Sequence, residues 1–425
     1  MRYFSLILLC ALSVAVAARA EDWPQWRGPR GDASSTETAI PTKWSKTENV
    51  AWRVEIPGKG HGSPIVVGDR VFLNTCIEAE SKRVLMCLDR KTGQTIWQQT
   101  VFTGPLEKKH PLNSYASSTP YCDGQRVFVS FLDVSPQPGA APAAPTAKGG
   151  KVAGLALVVC YDLTGKEIWR KHVGKFASVH GFSCSPIPYE DSIILNCDHD
   201  GDGYIVRLKR EDGAEVWRID RPNKTRSYCN PTIFDVGGVK HMVLTGSKCT
   251  ASYDPDTGKE RWMLDGPTEQ FAAGMVYSKA ANVFFLTAGF PTHHSQGISP
   301  DGKILWHQKG QSLAAYVPGP VAFDKWFFLV TDENKGAGRG ICYDAKTGNP
   351  LWTTDLGKHH RPSALVAGGN VYWLADDGVC YVVRASDKFE LVSANAIEEA
   401  CSAAPAIANG QIFIRSDKAL WCIGK

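Results

Sequence analysis

Three carboxylates at alternate positions, Asp198, Asp200 and Asp202, share one glycine-rich turn, Asp198-His199-Asp200-Gly201-Asp202-Gly203. The D-x-D-x-D-G spacing is that of a calcium loop, where a tight turn gathers hard oxygen donors around one cation. The twelfth position of such a loop needs a bidentate acid, and Lys209 stands there instead. Aspartate and glycine are also ordinary turn residues, so a solvated hairpin explains the same string. Histidines form two pairs, His293-His294 and His359-His360, and stand singly at His61 and His180. Imidazoles converging from separate loops would suit a transition metal, whereas scattered ones would not. No Gly-x-Ser-x-Gly, His-Glu-x-x-His or phosphate-cradling glycine loop occurs, which leaves hydrolase and nucleotide chemistry without local support.

The remaining reactive side chains are thiols. Of 13 cysteines, Cys10 lies in an N-terminal apolar stretch and 12 follow it. Cys87, Cys160 and Cys342 recur at one place in a repeat, two residues before an aspartate, as small buried apolar side chains would. Cys184 and Cys229 hold matching places in consecutive repeats and are the pair to test first for a disulfide.

The N-terminal stretch has Arg2, an apolar run from Phe4 to Val16 and Ala18-Arg19-Ala20, the pattern of a secretory signal peptide over residues 1–20. It implies a periplasmic or secreted protein. No later segment approaches a membrane span. Without Arg2 and Arg19 the 47 basic side chains fall to 45 against 43 acidic, and no polybasic run occurs, so nucleic acid is not an expected partner.

A repeat must position these groups. Six segments place a turn before a tryptophan, ending at Trp97, Trp169, Trp217, Trp262, Trp306 and Trp352, and Trp52 fits the same place without its turn. The intervals from Trp52 are 45, 72, 48, 45, 44 and 46 residues. A Pro-, Ala- and Gly-rich insertion over residues 133–154, read as a surface loop, accounts for the long one. Each unit opens with small residues and often Pro, and continues as alternating strands around Gly or Asp turns. Four strands per unit of about 45 residues is the period of propeller blades.

The last unit stops one strand short, while the segment around Trp52 is a fourth strand lacking the other three. Joining them predicts an all-β, eight-bladed propeller over residues 50–425, closed by its own N-terminal strand, with an arm at residues 21–49. The tryptophans are scaffold: rings between neighbouring sheets would bury on the order of 200 Å² each. Trp23, Trp26 and Arg27 in the arm either pack it onto the ring or anchor a partner.

The D-x-x-T-G-x-x-x-W unit, clear at Asp89 to Trp97 and Asp344 to Trp352, resembles the tryptophan-docking motif of pyrroloquinoline quinone (PQQ)-type propellers. That superfamily includes the quinoprotein alcohol dehydrogenases and the outer-membrane assembly lipoprotein BamB. The N-terminal "DWPQWRGPRGD" is similar to exported bacterial proteins of this type. The resemblance implies one of two functions. A quinoprotein oxidoreductase acting on alcohols or sugars would use PQQ, calcium, a carboxylate base and typically adjacent cysteines. The sequence has no Cys-Cys pair and no Cys-x-x-Cys-His for a haem. The other implied function, the one expected here, is a non-catalytic, monomeric scaffold whose loops and funnel bind an exported or envelope protein, a peptide or a glycan.

Overall fold

The computed structural model describes residues 20–135, 152–332 and 338–424. Apart from Ala20 the expected leader lies outside them, as do residues 136–151 of the insertion. The flanks of that insertion are strand rather than loop: Val152–Asp162 pairs Asp133 with Leu155 on one side and Gly154 with Phe176 on the other.

The described residues form eight four-stranded antiparallel sheets. Blades 1 to 7 span residues 65–103, 121–178, 187–220, 232–265, 276–309, 321–355 and 365–396, each in simple chain order. Blade 8 joins Ala406–Ala408, Gln411–Arg415 and Ala419–Ile423 to Val50–Glu55, so the expected closure is present. The first strand of each blade is innermost, as shown by contacts between the first strands of blades 8, 1 and 2 and of blades 5, 6 and 7. The second and third strands are almost wholly buried, whereas the fourth alternates toward solvent.

Each docking tryptophan lies on an outermost strand and donates its indole N–H to a carbonyl of the following blade. Trp52 bonds Arg90 at 2.8 Å, Trp97 Leu163 at 3.0 Å, Trp169 Arg210 at 3.0 Å, and Trp217 Pro255 at 3.1 Å. Trp262 bonds Pro300 at 2.7 Å, Trp306 Ala345 at 2.9 Å, and Trp352 Ser386 at 3.0 Å. The turn glycine that precedes each tryptophan in sequence therefore serves the ring of the preceding blade. Gly348, at φ +70°, would place a Cβ 2.3 Å from the Trp306 ring. A register shift beside each tryptophan sets a small residue opposite every indole but that of Trp217, which faces Arg207: Cys87, Cys160, Cys342 and Cys422 face Trp97, Trp169, Trp352 and Trp52, and Ser252 and Gly297 face Trp262 and Trp306. This is the reason for the recurring cysteines.

Blade 7 has Ser393 where the tryptophan would be, opposite Val382. The arm closes that seam instead. Ser393 Oγ donates to the Thr42 carbonyl, the Trp44 N–H donates to Asn395 Oδ1 at 3.0 Å, and the Trp44 ring is buried in the core shared by blades 7 and 8.

Further toward its start the arm enters the central channel. Trp23 pairs with Val66 on the inner edge of blade 1, Cys122 of blade 2 donates to the Pro24 carbonyl, and Ser34 bridges Val366 of blade 7. Between them Trp26 abuts Gly274 and Arg27 abuts Gly319, just ahead of the inner strands of blades 5 and 6. Glu37 accepts the N–H groups of Asn409 at 2.8 Å and Gly410 at 2.5 Å in blade 8. Arg27 is buried and donates to the Pro320 carbonyl. Of the two readings of the arm, packing onto the ring is the observed one.

Candidate binding face at the channel mouth

The arm approaches the channel through the turns between first and second strands. The opposite mouth is built by the connections that enter each inner strand, residues 56–64, 104–120, 179–186, 221–231, 266–275, 310–320, 356–364 and 397–405. A belt of bonds holds these connections together from blade to blade. The Ser63 N–H donates to Thr119 Oγ1, Thr119 N–H to Ser185 Oγ, and Ser185 N–H to Asn230 Oδ1, at 2.9 to 3.0 Å. The small residues that open these four repeats are thus an inner fastening from blade 1 to blade 4, and half-buried side chains on the same connections line the mouth.

On one side these residues are cations. Arg415, wholly buried at the end of a blade 8 strand, donates to the carbonyls of Asn74 and Gly62 and makes no ion pair among the described residues. Burial lowers its pKa to about 9. The 59–62 loop wraps it so closely that a Cβ on Gly60 would lie 2.6 Å from Nη2. Next to it, burial and then the charges of Arg415, Lys109, Arg361 and Lys59 push His61 down to about 4, so it is neutral at pH 7. Lys109 Nζ sits 4.9 Å from the Tyr115 ring centroid, and Arg361 pairs with Asp376 at 3.0 Å.

On the other side the residues are rings. His110 and His180 meet edge to face at 5.2 Å, and His180 Nδ1 shares a 2.5 Å hydrogen bond with the Tyr228 hydroxyl. Burial lowers His180 to about 4 and raises Tyr228 well above the ordinary phenol. Beyond them Tyr316 donates to Gln270 Oε1 at 3.1 Å and lies 6.3 Å from the half-exposed Phe290 ring. Asp332 caps the N–H groups of Tyr316 and Val317, each at 2.9 Å.

The carboxylates expected to share a calcium ion do not meet. A single loop supplies one cation to each: Arg221 to Asp198 at 2.9 Å, Arg226 to Asp200 at 2.6 Å and Lys224 to Asp202 at 2.6 Å. The turn is not a solvated hairpin either, since Asp198 and His199 are buried. Among the described residues no group of three or more His, Cys, Asp or Glu is placed to hold a metal. His61 and His180 both reach the mouth, and His359 joins it through Asp376 at 2.9 Å, while His294 lies elsewhere, bonded to His307 at 2.9 Å. All twelve cysteines of the described residues are free and buried. Cys184 lies against Cys197 in its own blade, and Cys229 donates to the Ala273 carbonyl at 3.1 Å, so the matching-position pair does not form.

The sequence reading missed Lys109, Tyr228, Tyr316, Arg361 and Arg415. For Tyr228, Tyr316 and Arg361 a signal exists, namely a position one or two residues ahead of the small-residue opening of a repeat. A groove of about 800 Å³ lies on the arm side between residues 34–38 and blades 5 to 7. Its one arm carboxylate, Glu37, is already committed to blade 8, and the rest of its lining is mostly Ser, Thr, Ala and Gly. It offers less chemistry than the mouth.

A sequence model of the family described as outer membrane protein assembly factor BamB matches residues 42–155, 81–273, 296–391 and 342–423. The chain belongs to this family. A search of curated protein sequences finds no match. Among solved structures, BamB from Moraxella catarrhalis is 12% identical with a TM-score of 0.58, covering 88% of this chain and 97% of that one. A europium-containing methanol dehydrogenase is 12% identical at 0.64, covering 94% and 90%. Quinohemoprotein alcohol dehydrogenase from Comamonas testosteroni is 14% identical at 0.64, covering 97% and 82%. Such identities show a shared fold. The three spaced carboxylates do not fit a calcium ion, because each is neutralised by a separate cation.

Proposed function

We propose that this family member is an exported, non-catalytic binding propeller, a monomer that presents the mouth opposite the arm to a partner. The observation that carries the reading is the arm itself. It enters the channel from one side and pairs with inner-strand edges there, while the other mouth gathers polar, cationic and aromatic side chains on connections fastened to one another from blade 1 to blade 4. A rigid scaffold that holds varied loop chemistry is the ordinary design of a recognition surface.

Photocrosslinking in the native envelope fraction tests this. A photoreactive side chain at exposed Leu112 or Phe290, beside the mouth, is expected to capture a partner, and one at Phe323 on the arm side is not. Capture only at Phe323 would overturn the choice of face. Dye reduction with alcohols or sugars on addition of PQQ and calcium would overturn the non-catalytic reading.

A further inference from the structure

The mouth is divided, and the division specifies a ligand. Cations occupy one arc, from Arg361 ahead of blade 7 through Arg415 and Lys59 to Lys109 ahead of blade 2. Rings occupy the other, from His110 through His180, Tyr228 and Tyr316 to Phe290. Lys109 and His110 are adjacent and join the arcs. The His110 N–H donates to the His180 carbonyl at 3.1 Å, and the His61 N–H to Ser114 Oγ at 2.9 Å, so one loop is tied to both.

Building on the mouth as the binding face, we infer that its ligand is a carboxylated carbohydrate, a chain containing uronic acid units. Three observations point there. Arg415 is a buried guanidinium whose bonds go to carbonyls, and no carboxylate of the described residues pairs with it. A buried charge in that state is costly, and an anion held at the exposed cations beside it relieves it through space. Lys59 and Lys109 extend the positive field to solvent, where it attracts and orients an anion, and Arg361 stands beside them with its charge shared with Asp376. The facing arc consists of rings, all but Phe290 with polar tips, and such groups pack an apolar C–H face while bonding the hydroxyls at its edge. An acidic peptide satisfies the cations equally, but extended peptides bind by pairing with strand edges. The inner edges of blades 1 and 7 are already paired, by the arm.

Calorimetry on the purified protein separates the outcomes, with a short oligogalacturonate as probe and its methyl ester, polyglutamate and inorganic phosphate as comparators. The acidic oligosaccharide is expected to bind with an affinity that falls as salt rises, and its ester at least about tenfold more weakly, because charge-assisted bonds are lost. Lys109→Gln and Arg361→Gln, both on partly exposed side chains, should each weaken it about threefold to tenfold, and Tyr228→Ala similarly. Melting curves and binding by Lys303→Gln, far from the mouth, control for folding. Equal binding of polyglutamate, or binding unmoved by these variants, overturns the carbohydrate assignment. Absence of binding by the oligosaccharide while Leu112 still crosslinks a partner overturns this inference alone. Failure of both overturns the mouth as the binding face.

Discussion

Asp198 Oδ1 accepts a hydrogen bond from Arg221 Nε at 2.9 Å, and both side chains are completely buried. Tyr253 and the Gly246 carbonyl take other donors of the same guanidinium. The residue that most resembles a metal ligand in the sequence is thereby an internal counterion. Asp198→Ala should cost about 3–5 kcal/mol in urea unfolding, because it strands a buried charge. Asp202→Ala, at a fully exposed pair that solvent screens, should leave the unfolding midpoint nearly unchanged. Calcium should shift the melting temperature of none of them, and a shift in the wild type lost in Asp200→Ala would restore the calcium loop.

The docking geometry makes a graded prediction for glycines. Gly68 and Gly348 both have positive φ, +57° and +70°, but a Cβ on Gly68 meets nothing within 4 Å. Gly68→Ala should cost about 1–2 kcal/mol from backbone conformation alone. Gly348→Ala must in addition displace the Trp306 ring and should cost clearly more, approaching the roughly 3–5 kcal/mol of Trp306→Ala. Equal losses for the two glycines would mean that the ring yields without cost.

Acid should loosen the fold through histidine. Burial holds His61, His180 and His360 near 4, below the ordinary 6.5, so between those values the unfolded chain binds the extra protons. Their contribution is whole above pH 6.5 and is lost as the pH falls toward 4, at no more than about 1.4 kcal/mol per pH unit for each. Glu107 and Asp332, raised by burial, act in the opposite sense above the usual carboxylate range. Denaturant midpoints at pH 7, 6 and 5 should fall steadily in the wild type and less steeply in His360→Gln. A flat profile would contradict these environments.

Thiol chemistry should report the intact ring. Burial pushes Cys87, Cys160 and Cys422 up to about 12, so the native protein should leave these thiols unreactive toward a disulfide reagent and release them on unfolding. Rapid labelling of Cys422 in native buffer would show that blade 8 opens on its own.

The scaffold was legible because it is periodic. A ring that docks between sheets demands a tryptophan, a turn and a small residue at fixed spacing, and Trp97, Trp169 and Trp352 announce that spacing in one dimension. The mouth was not legible, because Arg415, His61 and Lys109 share no period and meet only after the chain has closed. The arm is intermediate. Its aromatics invited two readings, and nothing local in Thr42 or Trp44 says that they replace the tryptophan missing at Ser393. The D-x-D-x-D-G string misled because its neutralising partners lie on a different loop, at Arg221, Lys224 and Arg226.

Blade 8 pairs Val50–Glu55 with Ala419–Ile423, more than three hundred residues later in the chain. A polypeptide delivered amino end first, across a membrane or from a ribosome, presents its closing strand long before the sheet that strand completes. Blades 1 to 7 draw only on neighbouring sequence and can assemble in order, so the final step is a single long-range capture with a large loop-closure cost. Until that capture the Val50–Glu55 strand has no sheet to complete, and Trp44 waits for Asn395 of blade 7. The interval is when a holding chaperone would act and when a protease would find the arm.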